Sequence, residues 1–255
     1  LLLPFFWRKF DFAKRGARII LACRDKNRAE KARLRIINET GNENIHVKII
    51  DLGSFESVKN FAKKISESEN RLDILVNNAG VLAQGHKTTP NGHPLIMQVN
   101  YYSAFLLTKL LLDLLKKTKS RVVNVSSNGA GMALLFNLSK LNRHMTDGVD
   151  YFNSKLCNVL FTQELAKKLD GTQVTAYSDH PGITKTQIFE TTPTSSWPKT
   201  PIYLRLAKRG PKVWFIAQLP KTWSRSAATT LSIAAKFGPI LRQGAENCGN
   251  GPKRF

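Results

Sequence analysis

Short apolar bursts rich in β-branched residues alternate along the chain with longer stretches whose apolar positions recur every three or four residues. Ala17–Cys23 (ARIILAC), Ile45–Ile50 (IHVKII), Leu72–Asn77 (LDILVN), Arg121–Ser126 (RVVNVS) and Thr172–Ser178 (TQVTAYS) read as strands. Lys26–Asn38, stopped near Gly41, then Ser54–Glu69, Pro94–Lys117 and Tyr151–Leu169 read as helices. This alternation predicts βαβ units, hence an α/β fold with a doubly wound parallel sheet and helices on both faces. Strands that are apolar throughout suit burial from both sides. Past Thr186 the character changes. Thr191–Pro201 (TTPTSSWPKTP) is loop chemistry, Tyr203–Leu219 and Ser226–Lys236 read as short helices, and Gly244–Phe255 is rich in Gly, Asn and Lys. The chain therefore divides into a sheet region, residues 1–190, and a divergent segment of the same domain, residues 191–255.

Composition narrows the function classes. Hydrophobic residues at 42% and charged residues at 22% exclude a globally disordered chain. Cys23, Cys157 and Cys248 form neither a disulfide framework nor a Cys/His cluster, so no metal site is expected. A reducing compartment follows: the cytoplasm, or the cytoplasmic face of an intracellular membrane. No apolar run approaches the ~20 residues of a membrane span; Ala104–Leu115 is interrupted by Lys109 and Asp113. Leu1–Phe10 reads as a segment that dips into a membrane interface or as the stump of something longer. The net charge is +21, of which residues 191–255 supply +10. Such a surface suits an anionic cofactor, peripheral contact with an anionic membrane, or plain solvation. The aromatic–basic interleaving and zinc-finger spacing of nucleic-acid binders are missing, so no nucleic-acid partner is expected.

In a doubly wound sheet ligands sit at the carboxyl ends of the strands, so the residues just after each strand carry the candidate chemistry. Tyr151 and Lys155 lie four apart on one helix face, where an ammonium can lower a phenol pKa from about 10 toward neutrality and make it a general acid/base. Ser126 and Ser127 end the fourth strand, and Ser127 is placed to hydrogen-bond the same reacting oxygen. Asn77-Asn78-Ala79-Gly80 ends the third strand in a turn close to a ligand, or in an ordinary turn. Asn100, a poor helix former, lies inside the helix that follows and needs a polar core role or a bend to explain it.

Asn77-Asn78-Ala79-Gly80, Asn100, Val123-Asn124-Val125-Ser126-Ser127, Tyr151-x-x-x-Lys155 and His180-Pro181-Gly182-x-x-x-Thr186 follow one another as in the short-chain dehydrogenase/reductase family. The text around them resembles the retinol dehydrogenase branch, over about residues 12–190. The resemblance implies a Rossmann-like sheet binding a nicotinamide dinucleotide. Tyr151 would be the proton carrier, Lys155 its activator and ribose contact, and Ser127 the group that steadies the substrate oxygen. Asn100 would hold the backbone and water of a proton relay. Asn78, Ala79 and Gly80 would line the cofactor, Asp51 would contact the adenine, and Pro181, Gly182 and Thr186 the nicotinamide amide. The gap from Ser127 to Tyr151 resembles the insertion of the retinol dehydrogenase branch, which makes Asn128–Asp150 a loop lining the pocket of a small lipophilic alcohol or carbonyl substrate. The sequence is compatible with an oligomer.

Arg24, at the end of the first strand, favours NADP(H) over NAD(H). An acid there would bind the free ribose 2′-OH, whereas a guanidinium attracts a 2′-phosphate. Lys26 and Arg28 add positive potential and Asp25 partly offsets it. One departure stands out. The family's first strand and TGxxxGxG turn would lie ahead of Phe12–Gly16, yet residues 1–11 (LLLPFFWRKFD) contain no glycine. The sheet is therefore expected to be incomplete, lacking its first, central strand, and both ends of the chain read as foreign to the family. Two functions stay open: an NADP-dependent alcohol/carbonyl oxidoreductase, and a catalytically impaired relic serving as an interaction module.

Overall fold

Five parallel strands form close to the predicted positions: β1 (Ile19–Cys23), β2 (Ile45–Ile49), β3 (Ile74–Asn77), β4 (Ser120–Val125) and β5 (Val174–Asp179). The computed structural model describes residues 6–181, apart from 83 and 135. The segment 191–255 and the candidate residues Gly182 and Thr186 lie outside the described residues. Around the strands run α1 (Phe6–Lys14), α2 (Lys26–Thr40), α3 (Phe55–Ser68), α4 (Leu95–Met97), α5 (Ser103–Leu110), α6 (Leu112–Lys116) and α7 (Asp147–Lys168).

The strands fall into two sheets. β1 pairs with β2 from Ile19↔Ile45 to Cys23↔Ile49. β4 pairs with β3 on one side and β5 on the other, with Val123 opposite both Val76 and Tyr177. A doubly wound sheet has the order 3-2-1-4-5-6. Removing its first strand leaves 3-2 and 4-5-6, which is the observed order β2-β1 and β3-β4-β5. The expected incompleteness therefore shows as a break between β1 and β3. These two strands keep partly exposed side chains at every position but the exposed Ala22, whereas β4 alternates buried and half-buried residues.

One core nevertheless underlies both sheets. Ile20 of β1 and Leu75 of β3 pack against a cluster built from Val58, Phe61 and Ile65 of α3, Leu107 and Leu111, Val122 and Leu165. Helix α3 follows from its caps: Ser54 accepts from the Ser57 N–H, and its apolar stripe Val58-Phe61-Ala62-Ile65 recurs at helical spacing. Helix α2 runs two residues past the predicted end, to Gly41 at φ +71°, whose N–H donates to the Ile37 carbonyl.

Two readings of the chain are corrected. Leu1–Phe10 is not all surface apolar sequence: Phe10 and Ala13 of α1 are buried against Ile36 and Ile45, so Phe10 is unavailable to a membrane. The long helix Pro94–Lys117 is interrupted. A π-helical turn, Gln98–Tyr102, is centred on Asn100, and a second break falls at Leu111. Asn100 thus marks both a bend and a polar core role, as its low helix propensity implied.

Candidate active site

The residues that matter sit at the carboxyl ends of β3 and β4 and along α7. That helix begins at Asp147, four residues before Tyr151, because Thr146 caps it by accepting from the Val149 N–H at 3.2 Å. Tyr151 therefore lies in the second turn, and the last part of the expected loop Asn128–Asp150 is helical. The rest of that loop holds two short 3₁₀ turns, Asn128–Met132 and Leu138–Lys140.

Lys155 is buried, 3% exposed, with its Nζ donating to the Val125 carbonyl at 3.0 Å and standing 5.6 Å from the centre of the Tyr151 ring. The Ser127 hydroxyl acts on the Tyr151 phenol from the end of β4, and accepts from the Gly129 N–H at 3.1 Å. Asn100 holds the loop after β3: its Oδ1 accepts from the Val81 N–H at 2.7 Å, and its Nδ2 donates to the Val81 carbonyl and to Ser154 Oγ. Gly80 runs so close that a side chain there would begin 3.4 Å from Lys155 Nζ and 3.6 Å from Asn100 Oδ1. Gly80, Asn100, Tyr151 and Lys155 thus come together, with Asn78 and Ala79 on the turn that leads into Gly80 and Ser127 at the end of β4. Half-buried Pro181 follows β5 directly, beside His180, whose Nδ1 accepts from the Asn128 N–H at 3.3 Å.

Arg24 and Asp51 lie apart from this group, at the ends of β1 and β2. Arg24 is exposed. Asp25 beside it caps α2 through the Arg28 N–H and pairs with the Arg28 guanidinium at 3.5 Å, so its charge is engaged locally. Asp51 Oδ1 accepts from the Gly53 N–H at 2.9 Å, and its own N–H donates to Ser57 Oγ.

Sequence reasoning missed Ser154 and Asn158. Ser154 Oγ donates to the Tyr151 carbonyl at 2.7 Å, and Asn158 Nδ2 donates to the Asn100 and Val125 carbonyls at 3.1 and 3.4 Å. A signal existed for Asn158: Tyr151, Lys155, Asn158 and Thr162 recur at helical spacing along α7. The series continues into the sheet, since Thr162 accepts from Asn124 and Asn124 Oδ1 accepts from Asn77 Nδ2. Buried amides and hydroxyls that satisfy one another in this way fix a single geometry.

Burial sets the electrostatics. Loss of hydration pushes the Tyr151 phenol above its usual value, and the Ser127 hydroxyl pulls partly back. The net direction is therefore upward, opposite to the lowering expected from Lys155. The Lys155 ammonium is pushed down from 10.5 to about 8 by the same loss of hydration. A stability effect follows. Below the folded value both folded and unfolded chains carry this charge, and the fold bears the cost of burying it. Between about 8 and 10.5 the folded chain gives up the proton first, so stability rises with pH. Lys9, also pushed down to about 8 by burial, contributes in the same direction. Lys155→Met removes one of the two contributions. In urea unfolding, the wild type should gain about 3 kcal/mol relative to the variant as pH rises through this window.

The short chain dehydrogenase family model matches residues 10–196. The chain belongs to the short-chain dehydrogenase family. Human retinol dehydrogenase 13 is 39% identical over 243 residues, covering 92% of this chain and 72% of that protein. Mouse retinol dehydrogenase 11 is 42% identical over 180 residues, covering 70% of this chain and 57% of that protein, so this second match spans little more than half of the relative. Among solved structures, a short chain dehydrogenase from Shigella flexneri superposes with TM-score 0.60 at 25% identity, covering 79% of this chain and 75% of that one. A metagenomic short-chain oxidoreductase in complex with NADP superposes with TM-score 0.55 at 25% identity, covering 69% and 76%. As a short-chain dehydrogenase, the chain is an oxidoreductase of alcohols and carbonyls with a Rossmann-like sheet and a nicotinamide dinucleotide cofactor. The residues present suit the two ends of such a cofactor: the buried Lys155 against the Gly80 cradle at one end, the exposed Arg24 at the other. Residues 1–11 contain no glycine that could cradle its diphosphate.

Proposed function

We propose that the chain interconverts a lipophilic alcohol and its aldehyde or ketone with NADP(H), using Tyr151 as general acid/base. The observation that carries this reading is Lys155, buried behind Tyr151 with its Nζ 5.6 Å from the centre of that ring. The bound nicotinamide supplies or accepts a hydride. The chain's own residues handle the oxygen and the proton. Ser127 and Tyr151 present two hydroxyls to a single substrate oxygen. Reduction takes the Tyr151 proton to that oxygen, and oxidation takes it back. A phenol held above its usual value by burial gives up its proton unaided only with difficulty, so stabilisation of the phenolate by the Lys155 charge is what the step requires. Asn100 and Asn158 lock the turn after β3 and the Val125 carbonyl that holds Lys155.

The names of the relatives support a retinoid-like substrate, and the half-buried residues of 128–146 beside Ser127 suit an apolar one. Cofactor preference rests on Arg24: with Asp25 engaged by the α2 cap and by Arg28, the positive field at the end of β1 is uncompensated. In a form carrying a glycine-rich strand–turn ahead of α1, Arg24→Asp should weaken NADPH binding and strengthen NADH binding. Charge-assisted hydrogen bonds contribute ~1.5–3 kcal/mol, so a roughly 10- to 150-fold loss for NADPH is expected. Fluorescence titration with both cofactors decides this; tighter NADH than NADPH binding by the Arg24 form would reverse the assignment.

A further inference from the structure

The segment between Ser127 and α7 carries a surface the reaction does not use. Met132 is 59% exposed, Leu134 83% and Leu138 37%, three large apolar side chains within seven residues. Lys140 and Arg143 follow, both exposed, and residues 128–146 contain no Asp or Glu. The acids that come next face inward. Asp147 Oδ2 accepts from the Gly85 N–H at 2.9 Å. Asp150, 3% exposed, pairs with His144 Nδ1 at 2.6 Å and accepts from the Met145 N–H. The His144 ring lies against His86, with centroids 3.9 Å apart. These contacts clasp the base of the segment to the start of α7 and to the loop after β3. Its three apolar side chains and two cations are left exposed within twelve residues of sequence, which defines the patch.

We propose that this patch docks on an anionic phospholipid surface. Apolar side chains beside Lys and Arg, without an acid, are what binds at the headgroup boundary: the former enter the acyl edge and the latter meet lipid phosphates. Charge complementarity selects this occupant, since the chain as a whole carries +21. An uncharged protein groove would leave Lys140 and Arg143 without counter-charge. Among the described residues no helix is long and apolar enough to cross a membrane, so the contact is peripheral on this part of the chain. The first residue of the patch, Met132, lies five positions after Ser127, and docking turns that edge of the candidate site toward the lipid. The substrate consequence rests on the proposed function; the docking does not, because it is read by lipid binding alone.

The test is co-sedimentation of the full chain with phosphatidylcholine–phosphatidylserine vesicles, with phosphatidylcholine vesicles, and without lipid. The wild type should pellet with the mixed vesicles, and weakly otherwise. Met132→Ser/Leu134→Ser should lower the partition about ten-fold or more. Lys140→Gln/Arg143→Gln should lower it about five-fold per charge, an effect that salt abolishes. These side chains project into solvent, so circular dichroism should stay unchanged. As a second readout, Leu134→Trp should add emission that shifts blue with mixed vesicles and is quenched by brominated acyl chains. Variants that sediment like wild type would place the lipid contact elsewhere on the basic chain and overturn the proposal. Equal binding to both kinds of vesicle, no binding at all, or added emission from the Leu134→Trp variant that is already blue without lipid would overturn it too, the last by showing that protein covers the patch.

Discussion

NADPH binding by the 255-residue chain should be weak, beyond the reach of titration at micromolar concentration. On the proposed reading the nicotinamide end would be held by Tyr151, Lys155 and the Asn78–Gly80 turn, and a 2′-phosphate by Arg24. Between them a dinucleotide carries a diphosphate, which this fold holds with backbone N–H groups at a glycine turn and a helix N-terminus. Helix α1 begins at Phe6, and the eleven residues from Leu1 to Asp11 include Leu, Phe, Trp and Pro but no glycine. Long-range attraction from a net charge of +21 raises the encounter rate with an anion, yet it does not aim hydrogen bonds. The break between β1 and β3 adds to this. Among the described residues each strand has a partner on one side only, and neither IILAC nor ILVN carries a charge or proline to guard its open edge. Calorimetry should therefore show little heat on adding NADPH, and light scattering should show self-association. A chimera supplying an apolar strand and a TGxxxGxG turn ahead of α1 should bind at least a hundred-fold more tightly and stay monodisperse or dimeric. Micromolar binding by the unaltered chain would remove the case for an impaired relic and leave an active oxidoreductase whose diphosphate contact lies in another part of the molecule.

What the sequence revealed, and what it hid, has physical causes. The strands were legible because buried parallel strands must be short, apolar and β-branched, and IILAC, ILVN and RVVNV satisfy this with little else to confuse them. The break in the sheet was legible as an omission, since a missing central strand leaves its neighbours in the order β2-β1 and β3-β4-β5. The continuity of Pro94–Lys117 was misjudged. A π turn needs one extra residue in the helical ladder, and its cause is three-dimensional: Asn100 must reach Val81 and Ser154 at once. Helix α1 was hidden because its apolar face, Phe10 and Ala13, merges in the text with the apolar run before it. The start of α7 was misplaced because Thr146 in a loop rich in Ser, Thr and Asn is one cap candidate among several. At the site, Tyr151, Lys155, Ser127 and Gly80 were found from their spacing after strands. Ser154 and Asn158 act through backbone carbonyls and carry no reactive group to draw notice.

The second large effect concerns the proton. In a form that binds NADPH and reduces a lipophilic aldehyde, Tyr151→Phe should lower kcat by about three orders of magnitude or more, since general acid–base catalysis contributes typically 10²–10⁴-fold. The change deletes one oxygen and keeps the ring that Phe152 meets edge-on at 6.1 Å, so packing around α7 is preserved. Stability should hold or improve slightly, because the phenol hydroxyl loses hydration on burial and its removal relieves that cost. KM for the aldehyde should rise little, as Ser127 still donates to its oxygen. Lys155→Met should produce a loss of similar size in kcat with a larger loss of cofactor affinity. Ser127→Ala should fall between these and wild type. The double variant Tyr151→Phe/Ser127→Ala decides whether the two hydroxyls act on one oxygen. If they do, removing Ser127 from the Tyr151→Phe enzyme should cost far less than removing it from wild type, because residues that serve one step are non-additive. Turnover that survives Tyr151→Phe intact, on any substrate the wild type reduces, would mean that the proton reaches the oxygen by another group, and the assignment of α7 as the catalytic helix would fall with it.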